Sequence, residues 1–201
     1  MNKRQVQKQF TRQKIIDAAK AIFIEKGIIK TATAQIAEKA GVAHGTLFLH
    51  FPNKDSLVIE LLDVELKKFS DNIKELIYKT SDIVTILDQY LNLIQAEEGF
   101  FSSLARELPD YKAELRRKIL FRESILREHF YRVIEKGIKQ NIYAEINITS
   151  ALTFLFGTLN YYLSLKDSFV QDGSVIEKFH DQIIDIFMKI LEKPKKKGDL
   201  K

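Results

Sequence analysis

Residues 33–51 read TAQIAEKAGVAHGTLFLHF, and this stretch decides the fold. Ile36, Ala37 and Ala40 fall at helical spacing before Gly41-Val42-Ala43, and Leu47 and Phe51 resume it afterwards. Two short helices joined by a three- or four-residue turn containing glycine make a helix-turn-helix. Ala37 stands where a larger side chain would push the helices apart. At Gly41 the turn calls for a left-handed residue, which glycine supplies without steric cost. The second helix, expected over His44–Phe51, is the one such a unit offers to a DNA major groove. Gly45 and Thr46 at its start are small enough to let backbone approach phosphate, which a helix N-terminus favours.

Outward from this stretch, Ile15, Ile16, Ala19, Ile22 and Phe23 form one stripe of a helix expected over Thr11–Lys26, with Gly27 as its stop. Thr33 reads as the N-cap of the second helix. Residues 1–9, with Lys3, Arg4 and Lys8 and few apolar side chains, read as a mobile basic arm able to follow a phosphate backbone or enter a minor groove. Pro52 separates the third helix from a long fourth one, which Asn53 caps and Asp55 suits at its positive end. Lys54 is the expected phosphate anchor.

The charge is segregated. Residues 1–54 hold ten Lys/Arg against three Asp/Glu, a net of +7, whereas 55–193 hold eighteen against twenty-three, a net of −5. A basic head on a mildly acidic body is the footprint of a polyanion-binding module. An ordinary solvated surface explains scattered lysines and not this division.

The order Ile-Ile-Asp-Ala-Ala at 15–19, Phe23, Glu25-Lys26-Gly27, Thr33, Ile36-Ala37, Gly41-Val42, Gly45-Thr46-Leu47 and Phe51-Pro52-Asn53-Lys54 closely resembles the DNA-binding domain of TetR-family transcriptional regulators. The resemblance spans Thr11–Lys54. It implies that Thr33, His44, Gly45, Thr46, Phe48, His50 and Lys54 face DNA. Phe48 stands where that family commonly has tyrosine, so a phosphate-binding hydroxyl is missing there. His44 replaces a frequent lysine, which implies binding that strengthens toward acid pH. His44 and His50 lie six residues apart on a helix and face different ways, so they make no metal site.

Beyond residue 53 apolar periodicity continues as helix. One is expected over 53–79. Another begins at Ser81 and ends at Gly99, followed by a short helix or turn over 100–108 and a charged helix to Gln140. The last two run from Asn147 or Thr149 to Leu165 and from Ser174 to Glu192. Arg116-Arg117-Lys118 and Arg122 read as solvated i,i+4 partners of the interleaved Glu114, Glu123 and Glu128 rather than as a second nucleic-acid site. The tail 194–201, with four lysines, reads as disordered.

The expected fold is therefore all-α. A three-helix helix-turn-helix head, 1–52, joins a helical-bundle body, 53–193. By resemblance the body senses a ligand and dimerises. Its last two helices carry Phe154, Tyr161, Phe179, Ile183 and Phe187 toward a second subunit, because two heads on a two-fold axis are needed for useful specificity. Tyr90, Phe101, Arg106, Tyr111, Phe121, Phe156 and Asn160 are the candidates for a largely apolar effector pocket with few polar groups. The expected function is a ligand-responsive repressor that binds a palindromic operator as a homodimer and is released by a small apolar or amphipathic molecule.

Other classes fit less well. The chain has no cysteine, hence no disulfides or thiolate metal sites, which suits a reducing cytoplasm. No Gly-rich phosphate loop, nucleophile elbow or metal-binding His/Glu spacing is present, so neither enzyme nor cofactor is expected. The start MNKRQ lacks an apolar signal core, and the apolar run 151–165 is too short to cross a bilayer, so no membrane partner is expected. A protein-interaction module would not need the charge segregation.

Overall fold

A computed structural model describes residues 2–194, and among them there are helices and no strand. Ten α-helices follow in order: α1 Lys3–Lys26, α2 Thr33–Ala40, α3 His44–His50, α4 Lys54–Lys79, α5 Ile83–Ala96, α6 Glu98–Glu107, α7 Ala113–Lys139, α8 Ile148–Ser164, α9 Lys166–Phe169 and α10 Val175–Leu191, with a 3₁₀ turn at Leu108–Asp110 between α6 and α7. The lysine-rich tail falls on 195–201, outside the described residues.

The turn forms as the residues require. Gly41 takes φ 66°, in the left-handed region, and Val42 N–H closes the end of α2 by donating to Ala37 C=O at 3.0 Å. Ile36, Ala37 and Leu47 are buried against Ile15, Ala19, Ile22 and Phe23 of α1. This core does not end at residue 52: Leu57, Val58, Leu61 and Leu62 of α4 close it, together with Phe100 and Leu104 of α6 and Tyr111. Head and body thus share apolar packing. A second cluster, built from α5, α7, α8 and α10 around Phe130, Ile134, Leu155 and Phe187, is the core of the body.

Four local expectations are corrected. Residues 3–9 are not a separate arm: α1 begins at Lys3, where the Asn2 side chain accepts from Arg4 N–H, so the basic side chains ride on a helix. Thr33 is the first helical residue rather than the cap, since Ala32 holds that position and its N–H donates to Gln35 Oε1 at 3.1 Å. Asp82, not Ser81, caps α5, accepting from Thr85 N–H at 3.0 Å. Gly99 does not end α5 but lies inside α6, where a Cβ would stand 2.7 Å from Ile24 Cγ2; the glycine lets α6 lie close on α1. Asn53, Asn147 and Ser174 cap α4, α8 and α10 as their positions suggest.

Candidate functional site

α3 is held from behind and bare in front. Behind it, Arg12 of α1 donates to the His50 carbonyl at 2.6 Å, pairs with Glu60 of α4 and stacks over the Phe51 ring at 4.2 Å. One guanidinium therefore fixes the C-terminal end of α3 to α1 and α4 together. Sequence reading passed over Arg12 because its partners lie 38 and 48 residues away. In front, His44, Gly45 and Phe48 are exposed and Thr46 is half-buried. Thr33 Oγ1 lies 3.0 Å from His44 Nε2, and the His44 ring packs on Phe48 with centroids 4.9 Å apart, so these three form one surface. Leu49, not singled out from sequence, is 81% exposed on the same helix.

His50 stands apart from that surface. Its ring is half-buried with Nδ1 enclosed and unpartnered. Burial, with the nearby positive charges of Arg12 and Lys8, holds its pKa below the ordinary histidine value. At neutral pH it adds no positive charge to the face. Lys54 is half-buried and donates to the Ile29 carbonyl at 3.1 Å. Burial lowers its pKa, against the opposing pull of Glu107 and Asp55. Its ammonium therefore sits at the base of the head, already held by backbone.

Glu107, the last residue of α6, accepts from Ile28 N–H at 2.8 Å, Ile29 N–H at 3.2 Å and the Tyr111 hydroxyl at 3.2 Å. Gly27 leaves room for this grip: with φ 82°, a Cβ there would stand 1.9 Å from the Glu107 carboxylate. At the other end of α6, Glu98 is buried and accepts from Val175 N–H at 3.1 Å, Ile176 N–H at 3.2 Å and the Ser174 hydroxyl, while Lys166 lies 2.9 Å away. Burial alone would raise its pKa, but these donors outweigh burial and leave it below the ordinary carboxylate value. α6 thus grips the head at one end and the start of α10 at the other.

Between those grips α6 lines a cavity of about 100 Å³, closed by α4, α5, α7 and α8. Tyr90, Phe101, Phe156 and Asn160 line it, joined by Phe69, Leu104 and Leu126, which sequence reading did not select. Phe69 makes edge contacts with Phe101 and Tyr90, at 5.0 and 5.6 Å between centroids. The other three pocket candidates are displaced. Arg106 points outward, 3.8 Å from Asp167. Tyr111 lies in a separate cleft of about 510 Å³ between head and body, with Lys54, Asp55 and Lys112. Phe121 is 62% exposed on the outer face of α7. Periodicity places aromatics on helices but not on the inner side of one particular cavity.

The last two helices also need correction. Ile183 and Phe187 are largely buried in this chain's own core and reach the surface only at the floor of a shallow groove beside Phe154 and Ile186. The side chains left in water are Phe154, 68% exposed, Tyr161, 56%, and Ile186, 61%, with Phe179 half-buried beside them. Gly157 lies on the same face, and a Cβ there would meet nothing within 4 Å.

Among the described residues no group of three or more His, Asp or Glu is placed to hold a metal ion, and no helix is long and apolar enough to cross a membrane.

Comparison with known proteins agrees with this geometry. Residues 15–61 match the family model described as bacterial regulatory proteins, tetR family. The fatty acid metabolism regulator protein of Bacillus subtilis is 27% identical over 162 residues, 77% of this chain and 82% of that protein. The HTH-type transcriptional regulator TtgR of Pseudomonas putida is 49% identical over 55 residues, 27% of this chain and 26% of that protein. Among solved structures, the transcriptional regulator FadR from Bacillus subtilis in complex with stearoyl-CoA superposes with a TM-score of 0.76 at 22% identity, covering 90% of this chain and 99% of that one, which shows a common fold.

Proposed function

We propose that this chain, whose residues 15–61 match the tetR family model and which shares its fold with a member of that family, is a repressor and not an enzyme: as a homodimer it binds a palindromic operator, and it leaves DNA when an apolar or amphipathic molecule enters the body cavity. The observation that carries this reading is the arrangement around α6. One ten-residue helix lines the cavity with Phe101 and Leu104 and holds the head through Glu107, so filling the cavity and placing α3 are mechanically connected.

The DNA-facing surface is that of Thr33, His44, Gly45, Thr46, Phe48 and Leu49, with Lys54 at its base and Lys3, Arg4 and Lys8 projecting from the start of α1. Dimerisation is assigned to the outer faces of α8 and α10. A contiguous apolar patch of this kind on a chain's surface marks an interaction site. Glycine inside a helix costs about 1 kcal/mol relative to alanine. Among the described residues nothing requires Gly157 to be small, whereas a partner helix crossing at that point would.

The effector class follows from the cavity and its relatives. A volume of about 100 Å³ is small beside the roughly 300–1,000 Å³ of ligand pockets, so any occupant must part the lining helices, which is the movement that derepression needs. The similarity to a fatty acid metabolism regulator, and to the fold of a protein that binds stearoyl-CoA, supports a long-chain acyl compound as that occupant.

The test is an electrophoretic mobility shift with upstream DNA at two salt concentrations, then with dodecanoyl-CoA added. The reading requires binding that weakens steeply with salt, as counterion release dictates, and release of DNA by the acyl compound. Absence of any shift at low salt contradicts it.

A further inference from the structure

The charged residues at the rim of the cavity indicate the headgroup of its occupant, an inference that rests on the reading of an acyl effector above. Arg122 of α7 is the cationic residue of the lining. Its guanidinium has five N–H donors. Among the described residues it makes one hydrogen bond, from Nη2 to Asp63 Oδ1, at a long 3.3 Å. Lys118, one helical turn earlier, donates to the other Asp63 oxygen at 2.5 Å. The remaining charged lining residue, Glu123, is paired with Arg127 at 2.7 Å, and that guanidinium lies over the Phe156 ring at 4.5 Å. One carboxylate is therefore already neutralised, and one guanidinium has most of its donors to spare.

Asp63 belongs to α4, and Lys118 and Arg122 belong to α7. The three side chains thus tie across the two helices next to the cavity that Arg122 lines. The N-terminal half of α4 is also bound to the head, through Glu60 with Arg12 and Glu65 with Lys20 at 2.7 Å. Whatever loosens Asp63 from α7 frees a segment that moves with α3.

We propose that the effector is an anionic amphipath: its tail fills the cavity, and its headgroup takes Lys118 and Arg122 from Asp63, so that binding unties α4 from α7. Arginine holds carboxylates and phosphates through paired, charge-assisted hydrogen bonds, which a single 3.3 Å contact does not match. The tie exists only without ligand and the new contact only with it. That is the differential interaction a ligand needs in order to shift a conformational equilibrium.

The experiment is isothermal titration of the full chain with dodecanoyl-CoA, dodecanoate and dodecanol, which share a tail and differ in headgroup. Wild type is expected to bind at least one anion roughly 5–150-fold more tightly than the alcohol, the usual span of a coupling energy. A preference for the CoA ester identifies a phosphate-bearing headgroup, and a preference for the acid a carboxylate. R122Q is expected to bring the anion-to-alcohol ratio close to one while still binding dodecanol, which also shows that the variant is folded, and R122K to restore part of the ratio. D63N is expected to bind the anion more tightly and, without ligand, to bind DNA more weakly. An anion-to-alcohol ratio unaltered in R122Q, or equal binding of all three by wild type, overturns the proposal and leaves the acyl effector standing. No binding of any of the three overturns both.

Discussion

Leu49 leaves most of its surface in water on the face assigned to DNA. An apolar side chain in a major groove has one specific partner, the C5-methyl of thymine. Once an operator is known, replacing the contacted thymine by deoxyuridine should cost wild type about 0.8 kcal/mol, the value of one buried methyl-sized group. Leu49→Ala should show no such loss, and equal sensitivity of both proteins would remove Leu49 from base readout. Lys54 belongs to a different class of contact. Lys54→Ala should weaken binding to all sequences alike and lower the salt slope by about 1. An unchanged slope would mean that Lys54, already bonded to the Ile29 carbonyl, only braces the head. At this scale sequence revealed the residues set on the face of α3 by helical spacing. It did not reveal Arg12, whose role is defined by His50, Phe51 and Glu60, or the inward turn of the His50 ring, because both depend on packing between segments distant in the chain.

Among the elements, α6 has the most consequences and was the least legible. The interruption between α5 and α6 is a single residue, Glu97 with φ −119° and ψ 23°. No proline marks it, and Gly99, which looks like a stop, serves the close approach to Ile24. Long helices with clean apolar stripes, such as α4, α5 and α7, could be placed to within a few residues, since burial of one face dictates their spacing. The grip of Glu98 on α10 makes a testable contribution. Its carboxyl titrates below the ordinary value of 4.5 in the folded chain. A depressed carboxylate contributes stability that is present above its unfolded pKa and lost as pH falls through its folded pKa. Thermal unfolding followed from neutral pH to about pH 3 should therefore show a decline below about pH 4.5 that is shallower in Glu98→Gln. At neutral pH that variant should be less stable by about 1–3 kcal/mol, since the amide loses the charge that Lys166 and the α10 amides face. An acid limb as steep as that of wild type would show that other carboxylates dominate.

For the whole molecule, the proposed homodimer requires two heads held at a fixed separation. The all-helical fold, the head and the helical body could be read from residue patterns. The exposed and buried sides of α8 and α10 could not be told apart, because both helices are apolar on more than one side and periodicity does not say which side meets the chain's own core. Ile183 and Phe187 went inward, and Ile186 was left outside. Phe154→Lys with Ile186→Glu should yield a folded monomer by sedimentation velocity, with DNA binding lost at concentrations that saturate wild type. Gly157→Ala separates the chain from its assembly. Its Cβ meets nothing within 4 Å among the described residues, so by propensity alone the helix should gain up to about 1 kcal/mol, yet the dimer should dissociate more readily. A Gly157→Ala dimer as tight as wild type would move the interface elsewhere.

The most direct test is selection of bound duplexes from a random pool with the full chain. The account predicts enrichment of an inverted repeat whose half-sites stand roughly 34–36 Å apart, or a multiple of that, matching two copies of α3 related by a two-fold axis. Enrichment of a single unrepeated sequence, or none at all, would contradict it.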